Sequence, residues 1–223
     1  MAYFEESFIK YFKSLKKNNN KAWFDKNKTV YENKVKKPFE HLVGDIIAKM
    51  QKLHPGFHCE IRDAIFRINR DIRFSNDKTP YKTYVSAAIV QGGRKNMVDP
   101  GLYIQISEGS FEIAGGVYLP DKEQLHRIRS AVQYQPKQVK KLLEDKKFTT
   151  LFGEILGEKN KVLPPEFKEA AKSEPLIANK QFYFMASYSD DKRILSDDLL
   201  RFIMKHYEAG RPWSDFFSTA LKV

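Results

Sequence analysis

With 223 residues, 42% apolar and 13% aromatic, the chain is long enough for one large domain with a sizeable core, and its composition excludes a disordered or low-complexity protein. A formal charge of +11 favours phosphorylated or polyanionic partners, although scattered lysines serve equally well as a wetted surface. Cys59 is the one cysteine, which excludes an internal disulfide and suits a reducing compartment. With no long apolar run, and with Glu5 and Glu6 where a signal peptide would turn from basic to apolar, a soluble cytoplasmic protein without membrane partners is expected.

Phe4, Phe8, Phe12 and Leu15 recur at helical spacing and predict a first amphipathic helix that stops near Asn18, Asn19 and Asn20. A longer helical stretch follows from Asn20 through Met50, with Pro38 kinking it or starting a new helix because the ring removes a backbone donor. The segment His54 to Glu60 holds metal-ligand types, but Pro55 and Gly56 make it a turn and no matching ligand pair stands elsewhere, so no metal and no cofactor are expected.

The segment Arg62 to Lys82, RDAIFRINRDIRFSNDKTPYK, carries the densest chemistry, with six cations and three aspartates threaded through an apolar pattern. Ala64, Phe66, Ile68, Ile72 and Phe74 share one parity, while Arg67, Asn69, Asp71 and Arg73 share the other, which predicts a half-buried strand. Arg70 breaks the apolar parity, so it is either buried and paired or placed by a bulge. Ser75 to Pro80 are turn formers that end the strand in a loop bearing Ser75, Asp77, Lys78 and Thr79. Guanidiniums beside hydroxyls and ammoniums suit a phosphate or carboxylate, whereas alternating Arg and Asp suit equally a structural ion-pair ladder.

A strand is expected over Tyr81 to Val90, and a hairpin from Leu102 to Tyr118 turning at Glu108, Gly109 and Ser110. Tyr103, Gln105, Glu112 and Tyr118 would then line the face that bears Arg67, Asn69 and Arg73. Asp121 predicts a helix cap, and Arg129 either reaches back over the sheet or, the simpler destination, meets solvent. Lys159 to Pro165 reads as a linker and a possible sub-boundary, Phe182 to Ser187 as another strand, and Ser196 as the cap of a helix broken at Gly210, Arg211 and Pro212 before a terminal helix.

The run RINRDIRFSNDKTPYKT, with NNNKAWFDKNK before it and PGLYIQIS and GGVYLP after it, resembles the family known as domain of unknown function 2461. The resemblance covers nearly the whole chain and implies an α+β domain, with no activity, substrate or cofactor attached to it.

The expectation is therefore a single α+β domain over 1–223, with a central antiparallel sheet from the mid-chain strands and N- and C-terminal helices packed against it. The leading function is binding of a phosphate- or carboxylate-bearing small molecule by Arg67, Arg70, Arg73, Ser75, Asp77, Lys78, Lys82 and Tyr103. The alternatives are a nucleic-acid-binding module that uses dispersed lysines, or an interaction domain whose charged strand is architecture. Ser75 beside Asp77 and Lys78 could form an activated hydroxyl, but a loop cap has the same sequence, so no catalytic residue is assigned.

Overall fold

The computed structural model describes residues 2–96, 98–189 and 191–222. Helices toward both ends of the chain flank, in sequence, a four-stranded antiparallel sheet, an α+β arrangement as the sequence predicts. The strands are β1 (Tyr84–Ile89), β2 (Gly101–Ser107), β3 (Ser110–Val117) and β4 (Phe182–Tyr188), paired in the order β1-β2-β3-β4. The residues gather into two compact units, the first formed by Met1–Lys95, Tyr103–Ile113 and Ser187–Met204, the second by Asn96–Leu102, Ala114–Ala186 and Lys205–Val223.

In the first unit, α1 (Glu6–Lys17) buries Phe8, Phe12 and Leu15 on one face, and Phe4 precedes the helix to rest on Phe8 with ring centroids 4.3 Å apart. Each such side chain contributes about 1.5–3 kcal/mol on burial, enough to hold a helix whose length alone would be marginal. Asn18 closes α1, and Asn20 opens α2 (Lys21–Lys26) by accepting the Trp23 backbone N–H at 3.0 Å. After α3 (Lys28–Tyr31) the chain makes a π-helical turn over Glu32–Lys36, then enters α4 (Lys37–Leu53) with Pro38 in its first turn. A proline there gives up a donor that would have no partner anyway, and the wider preceding turn absorbs the change of register. Its buried stripe, Phe39, Leu42, Val43, Ile46, Ile47 and Met50, packs α4 on β1 and on the single turn α5 (Ile61–Ala64).

The strand expected from Ala64 to Phe74 does not form as such. Ala64 ends α5, and only Ile65 to Arg70 is extended, running antiparallel to Tyr81–Ala87 through isolated bridges at Ile65 with Ala87 and Asn69 with Tyr81. Beyond Arg70 the apolar parity has no partner strand. Asp71 chelates the Arg73 guanidinium two residues on, which turns the backbone out of the ladder and leaves Phe74 95% exposed.

The hairpin expected from Leu102 to Tyr118 is present as β2 and β3, with Gly109 at φ 70° in its turn. Leu102, Ile104 and Ile106 are buried while Tyr103, Gln105 and Ser107 are half-exposed, so the period-two pattern resolves into an apolar and a polar face.

In the second unit, α6 (Lys122–Tyr134) begins in a reciprocal capping box, Asp121 accepting the Gln124 backbone N–H at 2.9 Å and Gln124 accepting that of Asp121 at 2.8 Å. The helices α7 (Pro136–Leu143) and α8 (Lys146–Phe152) follow, then the short turns α9 (Pro165–Lys168) and α10 (Ala170–Ser173). The stretch read as a linker lies within this unit, and Lys159 bridges Asn179.

Two expectations fail here. Arg129 is buried at 3% exposure, donating from Nη2 to the Asn179 carbonyl at 3.0 Å, because α6 turns that position onto the segment before β4. The helix α12 (Leu199–Lys222), which follows the single turn α11 (Asp191–Ile194), runs unbroken through Pro212. Gly210 gives space to a ring, since a Cβ there would lie 2.4 Å from Phe184, and Trp213, Phe216 and Phe217 are buried just beyond. That burial outweighs the loss of one proline donor.

Candidate functional site

The site is built on the first unit, where the 65–70 and 81–87 arms meet around the loop between them. Between the two bridges the second arm is two residues longer than the first. The backbone bonds Lys82 N to Ile68 O at 2.8 Å and Phe66 N to Ser86 O at 3.0 Å hold the irregular ladder on either side of that excess. Irregularities of this kind re-aim side chains. Here the residues concerned are Lys82, Thr83 and Tyr84.

Asn19 fixes the second arm from a distance in sequence. Its side-chain amide donates to the Tyr81 carbonyl at 2.8 Å and accepts the Tyr81 N–H at 3.1 Å, taking the place of a neighbouring strand. Phe24 stacks on the Tyr81 ring at 4.0 Å, nearly parallel. The first two helices thus determine where Lys82 begins.

Arg70 organises the loop. Half-buried, with its side chain 26% exposed, it pairs with Asp77, donates to the Thr79 hydroxyl and reaches Ser75 Oγ at 3.4 Å. Asp77 also accepts the Thr79 N–H at 2.9 Å, so its carboxyl is held down to about 2, first by the Arg70 guanidinium and then by the Thr79 backbone. Lys78 Nζ caps the Ile72 carbonyl at 3.0 Å. Arg73 grips Asp71 with both Nε, at 2.9 Å, and Nη2, at 2.7 Å, and holds that carboxyl at about 2 as well.

Arg70, Ser75, Asp77 and Lys78 are therefore occupied in making the loop, and Arg73 is occupied by Asp71. Between residues 65 and 84 five cations, Arg67, Arg70, Arg73, Lys78 and Lys82, stand against only Asp71 and Asp77. The surplus falls on Arg67 and Lys82. Among the described residues neither forms an ion pair or a side-chain hydrogen bond.

Lys82 is half-buried, its ammonium 5.1 Å from the Phe66 ring centroid and 5.7 Å from that of Tyr84. Burial lowers its pKa, and the positive charge of Arg67 lowers it further. Beside it lies an open concavity of about 380 Å³, within the range of small-ligand sites. Asn19, Arg70, Asp71, Asp77, Thr79 and the run Tyr81, Lys82, Thr83 and Tyr84 line it.

Tyr103 stands one step behind this wall, its ring 6.4 Å from that of Phe66. Its hydroxyl donates to Gln105 Oε1 at 2.9 Å, and Gln105 Nε2 donates to Glu112 at 3.0 Å, a polar relay on the open face of β2 and β3. Tyr118, expected on the same face, is half-exposed against Tyr183 in the second unit. Asn19, Phe66 and Thr83 were not legible as site residues. Only the NNN run before α2 hinted that an amide was available there.

Near the His54 turn, His58 Nε2 stands 3.8 Å from Glu60, and no three His, Cys, Asp or Glu side chains converge on a point among the described residues. No helix among those residues is long and apolar enough to cross a membrane.

The α+β fold is the class to which the sequence pointed. The family model described as conserved hypothetical protein (DUF2461) matches residues 7–216, and the chain belongs to that family. No curated protein and no solved structure matches it.

Proposed function

We propose that the protein binds a phosphate- or carboxylate-bearing small molecule in the concavity between Asn19, Arg70 and the 79–84 segment, with Arg67 and Lys82 supplying the charge. The observation that carries this reading is the half-buried Lys82 ammonium, which lines the concavity and meets no carboxylate among the described residues, with the exposed Arg67 guanidinium near enough for its charge to act on Lys82 and on Asp71. Folding alone disfavours a half-buried ammonium with a second positive charge nearby. An anion between them supplies the missing countercharge, and the planar donor set of Arg67 accommodates two oxygens at once. Asn19, Thr79 and Thr83 offer neutral hydrogen bonds for the rest of the ligand.

Calorimetric titration of inorganic phosphate, and of a panel of phosphorylated and carboxylated metabolites, tests this directly. Arg67→Ala should weaken binding at least tenfold, about 1.4 kcal/mol. Arg73→Ala, whose guanidinium is already quenched by Asp71, should leave affinity within about twofold. Equal losses in both variants would instead describe a diffuse charge effect and would remove the site.

A second reading rests on Phe74, 95% exposed at the loop tip with the Arg73 guanidinium 5.7 Å from its ring centroid. An exposed ring flanked by cations can stack a base of single-stranded nucleic acid. That reading requires oligonucleotide affinity that falls steeply with salt and is lost in Phe74→Ala. The small-anion reading requires neither.

A further inference from the structure

We propose that Lys82 is the nucleophilic amine of this site and condenses with the carbonyl carbon of an aldehyde or ketone that also carries a phosphate or carboxylate, Arg67 holding the anionic group. The inference rests on the small-anion reading and adds to it a reaction and a substrate class.

Four features place Lys82 apart from the other lysines of the chain. Its ammonium has two aromatic neighbours, the Phe66 ring centroid at 5.1 Å and that of Tyr84 at 5.7 Å. It lines the concavity, so a bound molecule can reach it. Among the described residues no carboxylate pairs with it, whereas Lys21, Lys34, Lys172 and Lys180 each sit on an acid. Finally, Arg67 stands close enough that its charge and the burial of Lys82 both favour the neutral amine, the form that attacks a carbonyl. The other titratable groups around it are Arg70, Asp71, Asp77, Tyr81 and Tyr84, and both carboxylates among them are already held by guanidiniums.

The step balances without an oxidant or reductant. The nitrogen lone pair of neutral Lys82 attacks the carbonyl carbon to give a carbinolamine; its oxygen takes up, through solvent exchange, both protons that the amine nitrogen gives up, leaves as water, and a neutral C=N bond remains. Hydrolysis returns the amine. An imine at this position would withdraw electrons from the adjacent carbon, which suits chemistry next to a carbonyl.

The test is reductive trapping of the folded chain with pyridoxal 5′-phosphate and borohydride at substoichiometric aldehyde, followed by peptide mass mapping. Lys82 should be labelled about tenfold or more faster than any other lysine, as expected for an amine in the wall of the concavity whose pKa is lowered by burial and by Arg67. Pyridoxal without its phosphate, excess inorganic phosphate, or Arg67→Ala should each erase that preference. Labelling of Lys82 no faster than that of surface lysines, with phosphate binding intact, would overturn the amine role and leave the anion site standing. Absence of both selective labelling and phosphate binding would overturn the two together.

Discussion

In the proposed reading, Lys82 ties stability and ligand binding in opposite directions. Its folded pKa is lowered, so between that value and the ordinary 10.5 the unfolded chain binds more protons, and stability contributed at this residue rises with pH across that window. Lys82→Met keeps the stem against Phe66 and Tyr84 while removing the unpaired charge. The melting temperature of the variant should equal or exceed that of the wild type at neutral pH in chloride, as read by calorimetry, even as phosphate binding is lost. A drop of several degrees would mean that the ammonium is compensated in solution.

Asp71 and Asp77 show the reverse sign. Both carboxyls lie at about 2 against an ordinary 3.8, so their pairs with Arg73 and Arg70 contribute in full above pH 3.8 and fade as pH falls through about 2. Carboxyl titration by NMR should place both midpoints well below 3.8. Midpoints at the ordinary value would show the two pairs open in solution. At this scale the sequence was informative wherever the partner lay nearby: Arg70, out of step with the apolar parity, did prove half-buried and paired within nine residues. Asn19, whose partner Tyr81 is 62 residues away, carries no local signal of its role.

Among elements, the loop from Asp71 to Thr79 owes its shape to side chains, with no strand ladder to support it. Arg70→Ala removes the common partner of Ser75, Asp77 and Thr79, and limited proteolysis should then cut between residues 71 and 79 faster, with the melting temperature little changed. In the second unit, Gly116 has φ 91°, and a Cβ there would lie 2.3 Å from the Phe182 carbonyl oxygen. Gly116→Ala should therefore destabilise the protein by about 2–4 kcal/mol in denaturant unfolding, a backbone strain added to a steric clash that cannot be relieved by rotating a side chain.

The β2–β3 hairpin and β4 were legible because alternation and turn residues agree within each segment. The strand expected at Ile72 and Phe74 was not formed, because alternation records which residues could share a face and says nothing of whether a neighbour exists to pair with them. Pro212 misled for a related reason: a helix breaker is read locally, while the burial of Trp213, Phe216 and Phe217 that carries α12 past it depends on the tertiary fold.

Over the whole chain, a charge of +11 is spread across many lysines, most of which meet solvent or a nearby acid. Net charge by itself therefore predicts only weak, salt-sensitive attraction to anions of any kind. What distinguishes one place is Lys82, half-buried in the wall of a concavity of ligand size, with no carboxylate paired to it among the described residues and the charge of Arg67 acting on it. The α+β class followed from the order of helical and alternating segments, but the identity of the two unpaired cations did not, because which arginines are quenched depends on loop geometry that composition does not encode.

The measurement that bears most directly on this account is the melting temperature at constant ionic strength as phosphate replaces chloride, for the wild type and for Arg67→Ala/Lys82→Met. A ligand bound only by the folded state stabilises by RT ln(1 + [L]/Kd), about 1.8 kcal/mol at twenty times Kd. The account predicts that the wild type rises with the logarithm of phosphate concentration while the double variant stays flat. The same slope in both proteins would contradict it.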